Sequence, residues 1–138
     1  MSFHPYLFFS GDCAAAFERY HEVFGGEIQV MRNSDAPAGE GMPDVDPSAV
    51  MHASIKLGDA FLMGSDDPTG TGGPKVGMSV AFSAPDETEA KRVFEALADG
   101  GEVTMPFEAT FWSKGFGTCT DRFGVPWMVD TAGEPPAG

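Results

Sequence analysis

Basic residues are scarce in this sequence, whose 138 residues include 8 lysines and arginines against 21 aspartates and glutamates, for a formal net charge of −13. Such a charge repels the phosphate backbone of nucleic acids and the anionic face of membranes. No apolar run approaches the roughly 20 residues of a bilayer-spanning helix, and no basic segment leads into an apolar one at the N-terminus. We therefore expect a cytoplasmic protein without a nucleic-acid or membrane partner.

Cysteine is nearly absent, since Cys13 and Cys119 are the only two. They lack CxxC spacing, and thiols in an acidic soluble chain are usually reduced. Cys13 falls at a predicted helix N-terminus, where the helix dipole can activate a thiol, but the neighbouring Asp12 opposes that effect. We expect both cysteines to be inert.

Hydrophobic residues are plentiful, at 42% of the chain with 12 phenylalanines. A chain of this size can bury a core without disulfides or a structural metal. We therefore expect one globular domain over residues 1–138.

The first half of the chain predicts a strand, a helix and a second strand. The strand runs from Phe3 to Phe9, and the helix, with an apolar stripe at three- and four-residue spacing, from Cys13 to Phe24. Asp12 is the expected N-cap and Gly25-Gly26 the expected end. Glu27 to Met31 resumes as a strand.

A long loop and a hairpin follow. Residues 33–49 are too rich in Pro, Gly and Asp for a regular element and predict a loop of the kind that often covers a site. Val50 to Leu57 and Ala60 to Met63 predict two strands joined at Gly58-Asp59. Residues 65–75 predict a linker.

The second half repeats this order. Gly77 to Phe82 predicts a strand, Ser83 to Pro85 a turn, Asp86 an N-cap, Glu87 to Ala98 a helix, and Gly100-Gly101 its end. The segments FSGD and FSAPD precede the two helices, and GGEIQV and GGEVTM follow them. This duplication predicts an α+β fold of two βαβββ modules, at about 1–64 and about 76–132.

A duplicated βαβββ unit closed by FGTCTDRFGVPWMVD resembles the glyoxalase/bleomycin-resistance/extradiol-dioxygenase (vicinal oxygen chelate) superfamily. The segments HPYLFF, FGGEI, VMHASIKLGDAFLMGSD, LADGGEVTMPFEATFW and DRFGVPWMV resemble its PhnB-like branch, whose members are often labelled 3-demethylubiquinone methyltransferase-like. The resemblance implies eight strands in a cup, helices outside, a small-molecule pocket and a homodimer. The chain lacks the Gly-rich strand-to-helix turn of nucleoside-cofactor enzymes, so we give the methyltransferase label no weight.

Metal-dependent members of the superfamily place His, Gln or Glu at inward positions of the first and last strands of each module. Here those positions fall on Tyr6, on Leu62 or Met63, on Met78 or Ser79, and on Met128. None is a good ligand for a hard divalent metal. A slip of one residue changes nothing, because no ligand occurs among the neighbours Pro5, Leu7, Gly77, Trp127 and Val129. We expect no metal and no other cofactor.

His52 is the titratable residue that the resemblance and the strand alternation both select. Imidazole can serve as a general base or as a hydrogen-bond donor to a ligand carbonyl near neutral pH. Alternatively, His52 is a buried histidine satisfied by a backbone carbonyl or by Tyr6. His4 and His21 are expected on partly exposed surfaces.

Aromatic and methionine side chains predict an apolar pocket. Phe111 and Trp112, with Phe116, form an aromatic group, and Glu108 and His52 are its expected polar residues. The expected lining residues are Tyr6, Phe8, Met63, Met78, Glu108, Phe111, Trp112 and Met128, although Met42, Met51 and many of the others could equally be core.

Acidic residues in the loops do not form a calcium site. Asp44, Asp46 and the pair Asp66-Asp67 lack the spacing and the closing Glu of an EF-hand. We interpret them as solvated loop charges.

Three functions remain open. The first is a small-molecule binding or sequestering protein that uses no metal. The second is a metal-independent lyase, isomerase or transferase acting on a small oxygenated metabolite with His52 or Tyr6 as the acid–base group. The third is a structural or regulatory protein that uses the cup only as a dimer surface.

Overall fold

A computed structural model describes residues 3–37, 39, 41, 45–67, 73 and 75–132. The chain divides into two compact units, Met1–Gly73 and Pro74–Gly138. Among the described residues, no helix is long and apolar enough to cross a membrane.

The first unit is a four-stranded sheet with one long helix. Its elements are β1 (Tyr6–Phe9), α1 (Cys13–Phe24), β2 (Glu27–Arg32), a 3₁₀ turn (Asn33–Asp35), β3 (Val50–Leu57) and β4 (Ala60–Asp66). The strand order is β1-β4-β3-β2, with β1 parallel to β4 and the other pairs antiparallel.

Alternation along β1 fixes which face of this sheet is buried. Leu7 and Phe9 are buried, and they contribute to a core shared with Phe17 and Tyr20 of α1. Gly64 on β4 lies on the same face, since a Cβ there would meet the Phe17 ring at 2.8 Å. The other face of the sheet is left open by α1.

The second unit repeats the same topology. Its elements are β5 (Val80–Ala84), α2 (Glu87–Ala98), β6 (Glu102–Glu108), β7 (Phe116–Thr120) and β8 (Pro126–Thr131). The order β5-β8-β7-β6 matches the first sheet strand for strand, with β5 parallel to β8. The α+β fold of two βαβββ units predicted from the sequence duplication is confirmed.

The core of the second unit lies between α2 and one face of its sheet. Val93, Phe94 and Leu97 of α2 are buried, as are Trp127 and Val129 of β8. Because alternate residues of a strand point to opposite faces, Met128 faces away from α2.

Five predicted strand ends are wrong, and two of them are the ends of β2 and β5, which lie at Arg32 and Ala84 rather than at Met31 and Phe82. β1 begins at Tyr6 rather than Phe3, and β4 continues through Gly64 to Asp66, into the expected linker. β5 begins at Val80 rather than Gly77, because Val80 is the first residue to pair with β8, opposite Trp127.

The cap of α1 also differs from the prediction. Asp12 makes no side-chain cap, whereas Asp86 caps α2 as expected by accepting a bond from the Glu89 N–H at 2.8 Å. At α1 the carboxylate is Asp66 of β4, whose Oδ1 accepts from the N–H groups of Gly11 and Cys13 at 2.9 and 3.0 Å. The predicted helix end is confirmed at Gly25, which has a positive φ of 73° and donates to the His21 carbonyl.

Candidate functional site

The open face of the first sheet brings two predicted site residues together. Tyr6 on β1 and His52 on β3 both point away from α1, and the Tyr6 hydroxyl lies 3.2 Å from His52 Nδ1. Their ring centroids are 5.8 Å apart at 34°. His52 is half-buried, with Nδ1 bound to Tyr6 as one of the sequence interpretations expected.

Apolar side chains surround this pair. Phe8 follows Tyr6 on the same face of β1, with ring centroids 5.3 Å apart. Met63 is the register partner of Tyr6, and Met31 on β2 is the register partner of His52. The first sheet therefore presents a hydrogen-bonded polar pair beside apolar side chains, on a face that also carries Ser54, Ser65 and Gln29.

The open face of the second sheet carries Met128, one of the expected lining residues. Its register neighbours are Ala81 on β5 and Thr118 on β7. Met78, the other predicted residue, precedes β5 and does not lie in the sheet, because β5 begins three residues later than the expected Gly77. Ala81 takes the place beside Met128 that the sequence had assigned to Met78 or Ser79.

An aromatic corner, defined as Phe111, Trp112 and Phe116, lies at one end of this face. The Phe111 and Trp112 ring centroids are 4.8 Å apart at 84°, and those of Trp112 and Phe116 are 5.3 Å apart at 71°. Phe116 is buried, whereas Phe111 and Trp112 are 86% and 47% exposed. The predicted aromatic group therefore forms, with two of its rings at the surface.

Two carboxylates flank the aromatic corner. Glu108 on β6 is the register partner of Phe116, and Phe116 is in turn the partner of Asp130 on β8. Directly opposed residues share a face of the sheet, with Cβ atoms about 5 Å apart. Asp130 also accepts a hydrogen bond from the Ser83 hydroxyl at 2.5 Å. Glu108 was predicted from the sequence; Asp130 was not.

The segment that carries the corner is held by its own hydrogen bonds. Thr110 Oγ1 accepts from the Ser113 N–H at 3.1 Å, and the Thr110 N–H donates to the Ser113 carbonyl at 2.9 Å. The Ser113 hydroxyl is buried and donates to the Gly115 carbonyl at 2.7 Å. These small polar residues position Phe111 and Trp112, and sequence reasoning missed them because Thr and Ser are common in loops.

Of the acidic residues that the sequence analysis interpreted as solvated loop charges, Asp46 is exposed and Asp66 is structural. Asp66 was interpreted as a solvated loop charge, which is wrong because it lies in β4 and also accepts from the Val50 N–H at 2.9 Å. Hydrogen bonds from the Ser48 backbone and hydroxyl lower the pKa of Asp46. The predictions for Met42 and Asp44 lie outside the described residues. Cys13 and Cys119 are both buried.

Comparison with known proteins agrees with this architecture. A profile of the Glyoxalase/Bleomycin resistance protein/Dioxygenase superfamily matches residues 2–129. This chain belongs to that superfamily. Protein YjdN of Escherichia coli strain K12 is 30% identical over 148 residues, covering 99% of both chains.

Two solved structures are similar over nearly the whole length. Protein PA1353 from Pseudomonas aeruginosa is 40% identical with a TM-score of 0.86, over 95% of this chain and 97% of that one. A Bacillus cereus protein described as a putative 3-demethylubiquinone-9 3-methyltransferase, PhnB protein, is 28% identical with a TM-score of 0.74, over 96% and 100%. The predicted superfamily and its PhnB-like branch are confirmed.

The superfamily's metal-dependent enzymes raise the question of whether this chain's donor set fits a divalent ion. On the first sheet the relevant neighbours are Tyr6 and Met63, and on the second they are Ala81 and Met128. A phenol, two thioethers and a methyl group are poor ligands for ions that select imidazole and carboxylate. Within the part of the chain that the structure describes, no three His, Cys, Asp or Glu residues are grouped to hold a metal. These residues do not fit the metal.

Proposed function

We propose that this protein binds a small organic molecule on the open faces of its sheets, without a protein-bound metal. The observation that carries the proposal is the composition of the first face. It presents the Tyr6–His52 pair among Phe8, Met31 and Met63. Ligand sites in proteins are mostly apolar with a few placed polar groups, and this face has that composition.

One line of support comes from the exposure of apolar side chains, and a second comes from the hydrogen-bonding groups among them. Tyr6 and Phe8 are 39% and 46% exposed, and Met31 is 52% exposed, although all three are apolar or aromatic. Clustered exposed apolar side chains on one face of a sheet often mark a binding surface. The Tyr6 hydroxyl and the second nitrogen of His52 supply hydrogen bonds that would orient a polar ligand group.

The test is ligand-observed NMR with a defined library of small oxygenated and amine metabolites. We expect some members of the library to bind the wild-type protein. Their binding signals should be weaker with the Tyr6→Phe and His52→Ala variants. The matched controls are Tyr20→Phe, the same change at the chain's other tyrosine in the α1 core, and His21→Ala on the exposed face of α1. A library without binders, or binders that ignore both changes on the first sheet, would contradict the proposal.

Elemental analysis of the same untagged protein tests the metal-free part. The donor sets described above predict far less than one equivalent of transition metal per chain after dialysis without chelator. Near one equivalent, lost in His52→Ala, would contradict it.

The Tyr6–His52 hydrogen bond favours a second candidate, a metal-independent lyase, isomerase or transferase. In that reaction Tyr6 would give a proton to a substrate oxygen and His52 would replace it through Nδ1. Slow conversion of any bound library member, followed by NMR, identifies this activity. It should disappear in His52→Ala.

A further inference from the structure

The aromatic corner has a geometry suited to a cation. Its two ring pairs stand edge to face, at 84° and 71°, so each pair covers a face of only one of its two rings. Phe111 and Trp112 therefore keep ring surface open to solvent, in line with their exposure. The face of an aromatic ring carries negative electrostatic potential and attracts a positive group placed over it.

The carboxylates beside the corner add formal negative charge at the same place. Glu108 and Asp130 lie on the strands to either side of Phe116, on the same face. Among the described residues, neither forms an ion pair with a lysine or arginine. The connecting segment contributes one basic residue, Lys114. Its single positive charge is smaller than the two negative charges of Glu108 and Asp130. The chain's net charge of −13 acts in the same direction.

The backbone of the segment that carries the corner is also held by hydrogen bonds of its own. The bonds of Thr110 and buried Ser113 hold the segment that carries its two exposed rings. Phe116 anchors the third ring in the sheet. The backbone that carries the exposed rings therefore needs little further ordering when a ligand binds.

We propose that the aromatic corner, with Glu108 and Asp130, binds an organic cation bearing an alkylated ammonium group. Methyl or methylene groups on the nitrogen contact the faces of Phe111 and Trp112, and the two carboxylates balance the charge. An anionic ligand is disfavoured by the carboxylates, and a neutral apolar ligand makes no use of them. This assignment rests on the proposed function, since it names the class of molecule that the second sheet takes.

The probe is choline, compared with its uncharged isostere 3,3-dimethylbutan-1-ol. The chain has two tryptophans, so a ¹⁵N spectrum shows two indole N–H signals. Trp127 is buried and donates to Asp121 at 2.9 Å, which makes its signal an internal reference. We expect choline to shift the Trp112 signal at millimolar concentration, and the isostere to bind at least about fivefold more weakly.

Two surface variants test the residues separately. Phe111→Leu and Glu108→Gln should each weaken choline binding by about two- to fivefold, because each removes one exposed cation contact. Their controls are Phe3→Leu, at a fully exposed phenylalanine, and Glu102→Gln, at the other end of β6. Added salt should weaken binding in the wild type more than in Glu108→Gln.

Each result bears on the assignment. Equal binding of choline and the isostere would overturn the cation class while leaving small-molecule binding intact. No shift of Trp112 with either compound would also overturn it, and the metabolite library would still decide the proposed function. Loss of binding in the control variants as well would show that the corner is not the site.

Discussion

Asp121 explains why the segment DRFGVPW has its particular residues. Its carboxylate is buried and accepts three bonds, from the N–H groups of Phe123 and Val125 and from Trp127 Nε1, at 2.8, 3.0 and 2.9 Å. Gly124 has a positive φ of 83° in this turn, a conformation that glycine adopts without strain. The segment therefore locks the β7–β8 connection and holds Trp127 in the core.

This carboxylate also affects its neighbour Cys119. Burial raises the pKa of the Cys119 thiol to about 11, from 9.0, and the charge of Asp121 adds to the shift. Between these values the unfolded thiol ionises while the folded one keeps its proton. The unfolded state then binds fewer protons, so this residue's contribution to stability falls as pH rises from about 9 to about 11.

We therefore predict a pH-dependent stability difference between the wild type and Cys119→Ala. Any loss of packing in the variant is the same at every pH, but only the wild type loses stability through thiol ionisation. The free energy of unfolding, measured with urea near pH 8 and again near pH 10.5, should fall more for the wild type than for the variant. A difference that stays constant across this range would mean that the thiol is not shielded in the folded state.

For individual residues, the sequence predicted which side chains belong to the candidate site better than it predicted which residues they contact. The contact between Trp112 and Phe116 follows from residues close in sequence, and Tyr6 was anticipated as a partner of His52. The pairing of Glu108 with Phe116 could not be counted, because β6 and β7 change register twice before reaching it.

At the scale of elements, α1 and β3 are tied together by Asp66. Its two oxygens accept from Gly11 and Cys13 at the start of α1 and from Val50 at the start of β3. A carboxylate that accepts several backbone N–H groups leaves all of them unsatisfied when it is removed.

We predict that Asp66→Ala destabilises the first unit by about 2–4 kcal/mol, whereas Asp12→Ala changes it by less than about 0.5 kcal/mol. Asp12 is the matched control, since local sequence assigns it the cap that Asp66 provides. Urea unfolding measures both, and faster exchange of the Gly11, Cys13 and Val50 amides in Asp66→Ala locates the effect. Equal losses in the two variants would show that the tie is not specific.

The periodicity of the sequence predicted which helices and strands are present. Where these elements begin and end depends on pairing between residues that are distant in the chain. The sequence placed Asp66 in a linker because Gly and Pro are dense after it, and no local pattern shows a carboxylate reaching a distant helix. The repeated Gly-Gly-Glu sequence also reflects a contact with residues that are distant in the chain. A side chain on the second glycine, Gly26 or Gly101, would collide with the carbonyl of Lys56 or Thr120 on the adjacent strand.

At the scale of the whole molecule, we predict a homodimer. Each four-stranded sheet has two edge strands, and the edge strand β6 carries the exposed apolar side chains Val103 and Met105. A two-fold partner is the commonest way for an oligomer to cover such surfaces. Light scattering at micromolar concentration should give twice the mass of one chain, and a single-chain mass would contradict the prediction.

The parallel pairing of each unit's first and last strands has a consequence for synthesis on the ribosome. β1 can find its place only beside β4, and the bond from Cys13 to Asp66 joins groups 53 residues apart. The second unit closes in the same way, β5 against β8. The first strand of each nascent unit therefore stays unpaired until the last strand of that unit has emerged from the ribosome. Unpaired strand edges are prone to aggregation during this period, when chaperones can bind the chain. A chain that stalls before residue 60 would leave the backbone edge of β1 unpaired, because β4 has not yet been made.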